Sequence, residues 1–153
     1  ALVTYLRREL EVTALAPALR ERTREAIERV APTLRDVAGP PVLLHADFKV
    51  SNLHWATDNR LLILDWEFAY AGSALSDIGQ LLRWSPPSGF IGAFAHAYRA
   101  GGGMLLEGWE RWAAAFDVVN LVGLLANQRS AGASARIADV SRRLEITLAM
   151  LGA

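Results

Sequence analysis

Hydrophobic and polar positions follow two different periods along this chain. Residues 17 to 37, PALRERTREAIERVAPTLRDV, carry Leu19, Ala26, Ile27 and Val30 at helical spacing with Arg and Glu between them, and Pro17 suits a first helical turn. An amphipathic helix is predicted there. Pro32 lacks a backbone donor and is expected to end or kink it, and Gly39-Pro40-Pro41 stops it. A helical pattern is already under way at residue 1. From residue 42 the period shortens: VLLH (42 to 45), LHWA (53 to 56) and LLILD (61 to 65) are short apolar runs of strand type. TDNR, between the last two, has Asp and Asn where a hairpin turn wants them, so residues 53 to 65 are predicted to form an antiparallel hairpin turning at Thr57 to Arg60. After Gly72 helices return over 74 to 84, 88 to 100, 104 to 128 and 134 to 151. Ser85-Pro86-Pro87, Gly101-Gly102-Gly103 and Ser130 to Ser134 separate them. The predicted class is mainly α (α+β): one helical domain over residues 1 to 153 with a small β insertion.

In the helix predicted over 104 to 128, Leu105, Trp109, Trp112, Phe116 and Val119 recur at steps of four and three and define an expected buried stripe. That assigns Trp109 and Trp112 to the core. Glu110, Asp117, Asn120 and Gln128 fall opposite, either as a solvated face or as the polar wall of a substrate pocket.

Composition narrows the classes. With 153 residues, 52% hydrophobic and 21% charged, the chain can bury a substantial core. Lys plus Arg and Asp plus Glu are both 16, so no global positive field gathers nucleic acid or an anionic membrane. The absence of Cys excludes disulfides, thiolate metal sites and a Cys nucleophile. ALVTYLRREL has no signal-peptide pattern, and no apolar run reaches the roughly 18 residues of a membrane span, so a cytoplasmic location is expected.

The β insertion holds nearly all the candidate chemistry. His45 to Asn52 spell HxDxxxxN between two strands, and Asp65-Trp66-Glu67 follows the hairpin. Because a hairpin folds back on itself, Asn52 before its first strand and Asp65 after its second are expected side by side, with Asp47 on the loop leading in. Two carboxylates and an amide oxygen suit Mg²⁺, which takes few protein oxygens and keeps the rest of its shell for water and phosphates. Phosphoryl transfer fits that set, with one Asp as base, Asn and a second Asp on the metal, and Lys49 near the developing charge. His54 and His96 are expected to be structural or surface residues.

HADFKVSN, LLILDWE and GSALSDIG resemble, in order and spacing, the catalytic half of the aminoglycoside phosphotransferase and choline kinase-like family, relatives of the protein kinases. The resemblance covers essentially the whole chain as the C-terminal lobe of a protein kinase-like fold. It implies that Asp47 is the catalytic Asp, that Asn52 and Asp65 hold metal and cofactor, and that His45 braces the loop. Asp77 then resembles the buried Asp that holds the catalytic loop, where its plainer reading is a first-turn helix acid. Ala46 stands where the family most often has Gly, and Lys49 is either a contact to the transferred phosphate or a solvated cation.

The implied activity is ATP- and Mg²⁺-dependent phosphorylation of a small alcohol or amino sugar, with Glu110, Asp117 and Asn120 as candidate substrate contacts. The family's Gly-rich ATP clamp precedes the hinge, and nothing before residue 17 could supply it. The fragment is therefore expected to be inactive alone and to self-associate through its uncovered lobe interface. The alternative is a non-catalytic kinase-like binding or interaction module.

Overall fold

The computed structural model describes residues 2–127 and 134–152. Its helices are α1 (Leu2–Glu11), α2 (Pro17–Val37), α3 (Ala74–Leu82), α4 (Phe90–Ala100), α5 (Trp109–Ala126) and α6 (Ser134–Met150). Four three-residue strands, β1 (Val42–Leu44), β2 (Leu53–Trp55), β3 (Leu61–Ile63) and β4 (Tyr70–Gly72), lie between α2 and α3. The chain divides into two compact units, residues 1–36 with 114–153, and residues 37–113.

The first unit is a helical core. Leu6 and Leu10 of α1, Leu19, Ile27, Val30 and Leu34 of α2, Val118, Leu121 and Leu125 of α5, and Leu144 and Leu148 of α6 are all buried. Each set recurs at helical spacing, so burial of one face, and not propensity alone, stabilises each helix. Arg20 donates to the Thr13 and Leu15 carbonyls and ties the turn between α1 and α2, while Arg29 donates to the Gly152 carbonyl at 2.7 Å. Helix α2 runs through Pro32 instead of ending there. Pro32 forfeits one backbone bond, but the buried Val30 and Leu34 on either side hold the segment in register with the core.

In the second unit β2 and β3 form the expected hairpin, pairing Leu53 with Ile63 and Trp55 with Leu61. Asn59, in the left-handed region at φ 65°, makes its turn. Strand β4 has no counterpart in the sequence reading. It pairs antiparallel with β1, Leu44 opposite Tyr70 and Val42 opposite Gly72, so the insertion is two small sheets and not a strand, a loop and a hairpin. A side chain at Gly72 would lie 2.8 Å from Leu44 Cδ1, which is why β4 can close over the buried Leu44. Ser73 caps α3 and donates to the Ala38 carbonyl at 2.7 Å. Phe90, Phe94 and Tyr98 stack along one face of α4, and Trp109 packs against Phe94.

Helix α5 corrects two expectations. It begins at Trp109 and not near residue 104, because Gly108 at φ 67° breaks the chain direction and leaves Leu105 outside the helix. Of the expected stripe only Trp109 is buried; Trp112, Phe116 and Val119 are half-buried, and Ala113, Val118, Leu121, Val122 and Leu125 form the core side. The helix is apolar around most of its circumference, so periodicity alone does not select the buried face. Asp117 is only 2% exposed, which removes it from a solvated face. Gln128 and the break at 130 to 133 lie outside the described residues. Among the described residues no helix is long and apolar enough to cross a membrane.

Candidate active site

The site is built on the segment that leaves β1. Leu44 and His45 are buried, and Ala46 then turns the chain in the left-handed region at φ 67°. For a residue with a Cβ that conformation costs about 1 to 2 kcal/mol, so neighbouring bonds must hold it. Asp77, in the first turn of α3, accepts the His45 N–H at 2.7 Å with Oδ2 and the Ala46 N–H at 2.9 Å with Oδ1. One carboxylate thereby satisfies two amides that a strand end leaves without partners.

His45 makes a second brace. Its Nδ1 accepts the Asp47 N–H at 3.2 Å, which assigns the ring proton to Nε2, and Nε2 donates to the Leu64 carbonyl at 2.7 Å. The ring packs against Trp66 with centroids 4.8 Å apart, and the Trp66 indole N–H donates to the Ile63 carbonyl at 2.8 Å.

Asp47 follows on the loop, half-buried. Its Oδ2 accepts from Lys49 Nζ at 2.6 Å and from Asn52 Nδ2 at 3.2 Å, and Oδ1 has no partner among the described residues. Asn52, 7% exposed in a short 3-10 turn over Val50–Asn52, also donates to the Asp47 carbonyl at 2.9 Å. The Asn52 amide nitrogen thus faces Asp47, and its Oδ1 accepts from the Ser51 hydroxyl at 3.5 Å with a second lone pair left over.

Leu64 N–H donates to the Asn52 carbonyl at 2.9 Å, so the chain leaving β3 runs beside Asn52 and delivers the exposed Asp65, at φ 70°, to the next position. Among the described residues no group of three or more His, Cys, Asp or Glu could hold a metal. An amide oxygen on Asn52 and a carboxylate on Asp65 are oxygen donors of the hard kind that a cation such as Mg²⁺ takes in small number, keeping most of its shell for other ligands.

The structure therefore brings His45, Asp47, Lys49, Asn52 and Asp77 into one hydrogen-bonded cluster, with Asp65 beside it along the chain. Glu110 is exposed at the start of α5 and joins no bond of this cluster. Asp117 and Asn120 belong to the other unit, where Asn120 Nδ2 donates to Asp117 Oδ1 at 3.3 Å. His54, at the surface, bonds the Ser51 carbonyl, and His96 is exposed.

One member escaped the sequence reading. Gln80, buried on α3, donates from Nε2 to the Ala46 carbonyl at 3.0 Å and accepts the Phe48 N–H at 2.8 Å with Oε1. The available signal was its position three residues after Asp77, on the same face of a helix whose other buried residues are mostly apolar.

The chain shares its fold with solved kinases. Choline kinase LicA from Streptococcus pneumoniae superposes with a TM-score of 0.76 at 15% identity, over 99% of this chain and 55% of that one. A structure of LicA in complex with AMP gives 0.74 at 16%, with the same coverage. A choline/ethanolamine kinase family protein from Mesorhizobium loti gives 0.61 at 18%, over 99% of this chain and 58% of that one. The chain spans a little over half the length of these proteins, and at such identities the likeness shows the fold, here a mainly helical, kinase-like one. No curated protein matches the chain. The model of the phosphotransferase enzyme family matches residues 2–115, a continuous stretch that holds the whole cluster around Asp47, and the chain belongs to that family.

Proposed function

We propose that the chain is the C-terminal lobe of a cytoplasmic, ATP-dependent small-molecule phosphotransferase, which moves the γ-phosphoryl group of ATP to a hydroxyl of an alcohol or amino sugar. The observation that carries this reading is the Asp47 carboxylate, held by Lys49 and Asn52 through Oδ2 with Oδ1 left to accept a proton. Asp47 takes the proton of the substrate hydroxyl as its oxygen bonds to phosphorus and the bond to the ADP oxygen breaks. Lys49, beside Asp47, offsets negative charge as it develops. His45 and Asp77 keep the loop in shape. Asn52 and Asp65 are the residues that would hold Mg²⁺, whose chemistry when bound is to neutralise phosphate charge. Glu110, exposed at the start of α5 in the unit that holds the cluster, is proposed on the substrate side, with access to a cationic group.

Joined to an ATP-clamping N-terminal lobe, this lobe should transfer phosphate and lose roughly 10² to 10⁴ in rate on Asp47→Ala, the range for a positioned general base. The 153-residue chain by itself should bind MgATP poorly and transfer nothing, since carboxylates without substrate phosphates hold Mg²⁺ weakly. Calorimetric titration with MgATP tests this, and micromolar affinity would show that no further clamp is needed.

A second reading, a non-catalytic module that binds a partner, draws on the apolar surface of the second unit. Leu43 is 70% exposed, Val50 65%, Trp55 74% and Phe68 58%. Full activity of the joined protein would set it aside.

A further inference from the structure

We propose that Gln80 is a positioning residue for Asp47, setting the direction of the carboxylate by clamping both peptide groups that flank it. The inference rests on the reading of Asp47 as the base. A residue's backbone has two soft dihedrals, and fixing the peptide planes on either side removes both. Around Asp47 that is done entirely by side chains. The preceding peptide has its carbonyl, on Ala46, bonded to Gln80 Nε2 at 3.0 Å and its N–H, on Asp47, bonded to His45 Nδ1 at 3.2 Å. The following peptide has its carbonyl, on Asp47, bonded to Asn52 Nδ2 at 2.9 Å and its N–H, on Phe48, bonded to Gln80 Oε1 at 2.8 Å. Of the three side chains involved, Gln80 alone bonds both peptides.

The chemistry of the clamp selects the residue. It needs a donor toward the Ala46 carbonyl and an acceptor toward the Phe48 N–H on one rigid end, and a primary amide has both. Glutamate keeps the acceptor but turns a carboxylate oxygen toward the Ala46 carbonyl. Leucine fills the space and makes neither bond. Because Gln80 is only 5% exposed, water does not readily take over either bond. The clamp also bears on the Ala46 turn: Asp77 fixes the Ala46 N–H and Gln80 its carbonyl, so two residues one turn apart on α3 hold a left-handed alanine from both sides. The clamp thus explains how the loop keeps its turn without a glycine at position 46.

The test is heteronuclear NMR of the 153-residue chain as parent, Gln80→Glu and Gln80→Leu, with kinetics of the same substitutions in the lobe joined to its ATP-clamping half. In Gln80→Leu the Phe48 amide should exchange with solvent about tenfold faster, the factor expected for one lost hydrogen bond, while amides of α6 stay as in the parent. In Gln80→Glu the Phe48 amide should keep its protection. In both variants the Asp47 carboxyl carbon signal should move, and kcat should fall by roughly 10 to 10² with KM little changed, as expected for a misplaced reacting group. Phe48 exchange and an Asp47 carboxyl signal unchanged from the parent overturn the clamp. If Gln80→Leu does not fold, Gln80→Glu, which keeps the volume, decides through the Asp47 signal and kcat. A moved Asp47 signal in a protein whose rate is indifferent to Asp47→Ala strikes instead the reading of Asp47 as base, so the two failures are told apart.

Discussion

The imidazole Nε2 of His45 lies 2.7 Å from the carbonyl oxygen of Leu64, nineteen residues along the chain. This bond ties the segment leaving β1 to the segment leaving β3, and through Nδ1 the same ring holds the Asp47 amide. One buried ring thus bonds the Asp47 amide and the carbonyl of the residue just before Asp65.

Removing that ring should be costly. His45→Ala removes a buried ring and leaves the Leu64 carbonyl and the Asp47 N–H without their partner, and a total loss of about 1 to 3 kcal/mol is expected. Urea unfolding gives the measurement. A midpoint equal to the parent's would mean that water replaces both bonds.

Asp77→Ala should destabilise the chain by about 1 to 3 kcal/mol, because two loop amides lose one shared acceptor. Asp77→Asn separates hydrogen bonding from size: its amide can accept from one of the two N–H groups and turns a second donor against the other. It should melt below the parent despite its near-identical volume. If the Asp77→Asn variant keeps the parent's melting temperature, the carboxylate is a surface acid with incidental contacts.

The exposed Leu43, Trp55 and Phe68 should make the isolated chain self-associate, since large apolar side chains open to water tend to find a partner. Sedimentation equilibrium should show a concentration-dependent rise in mass that Trp55→Ser with Phe68→Ser abolishes. A single monomeric species at high concentration would rule this out.

Asp139 offers a pH test away from the site. Hydrogen bonds from Arg143, and then from Arg142, hold its carboxyl below the ordinary carboxylate range. A depressed value in the folded state means that the pair's contribution is present above the unfolded pKa and is lost as pH falls through the folded one. The Asp139 carboxyl carbon should titrate below the usual midpoint, and Arg143→Ala should move it up. An ordinary midpoint in the parent would show that these exposed pairs are not held in solution.

Much of this was legible from local pattern. Leu19, Ile27 and Val30 marked α2, and the turn residues between two apolar runs marked the hairpin. Both are short-range signals, set by periodicity and by the φ preferences of a few residues. The order of His45, Asp47, Asn52 and Asp65 also pointed to one cluster, because a hairpin returns the chain to where it began.

What local pattern could not decide depended on partners distant in sequence. Tyr70–Gly72 has no strand signature of its own and becomes β4 because β1 offers an edge and Gly72 lets the chains approach over Leu44. Asp117 read as part of a solvated face or of a pocket wall until the packing of its unit buried it, and α5 is too uniformly apolar for its sequence to choose a face. Gln80 reads as an ordinary helix residue. Only when α3 is laid beside the loop does its amide meet Ala46 and Phe48, 34 and 32 residues away. The amino-acid order alone gathered His45, Asp47, Lys49 and Asn52 in one loop and named the elements on either side of it. Tertiary structure decided which polar groups hold them in place, because a hydrogen bond between distant segments leaves no periodic trace in the chain.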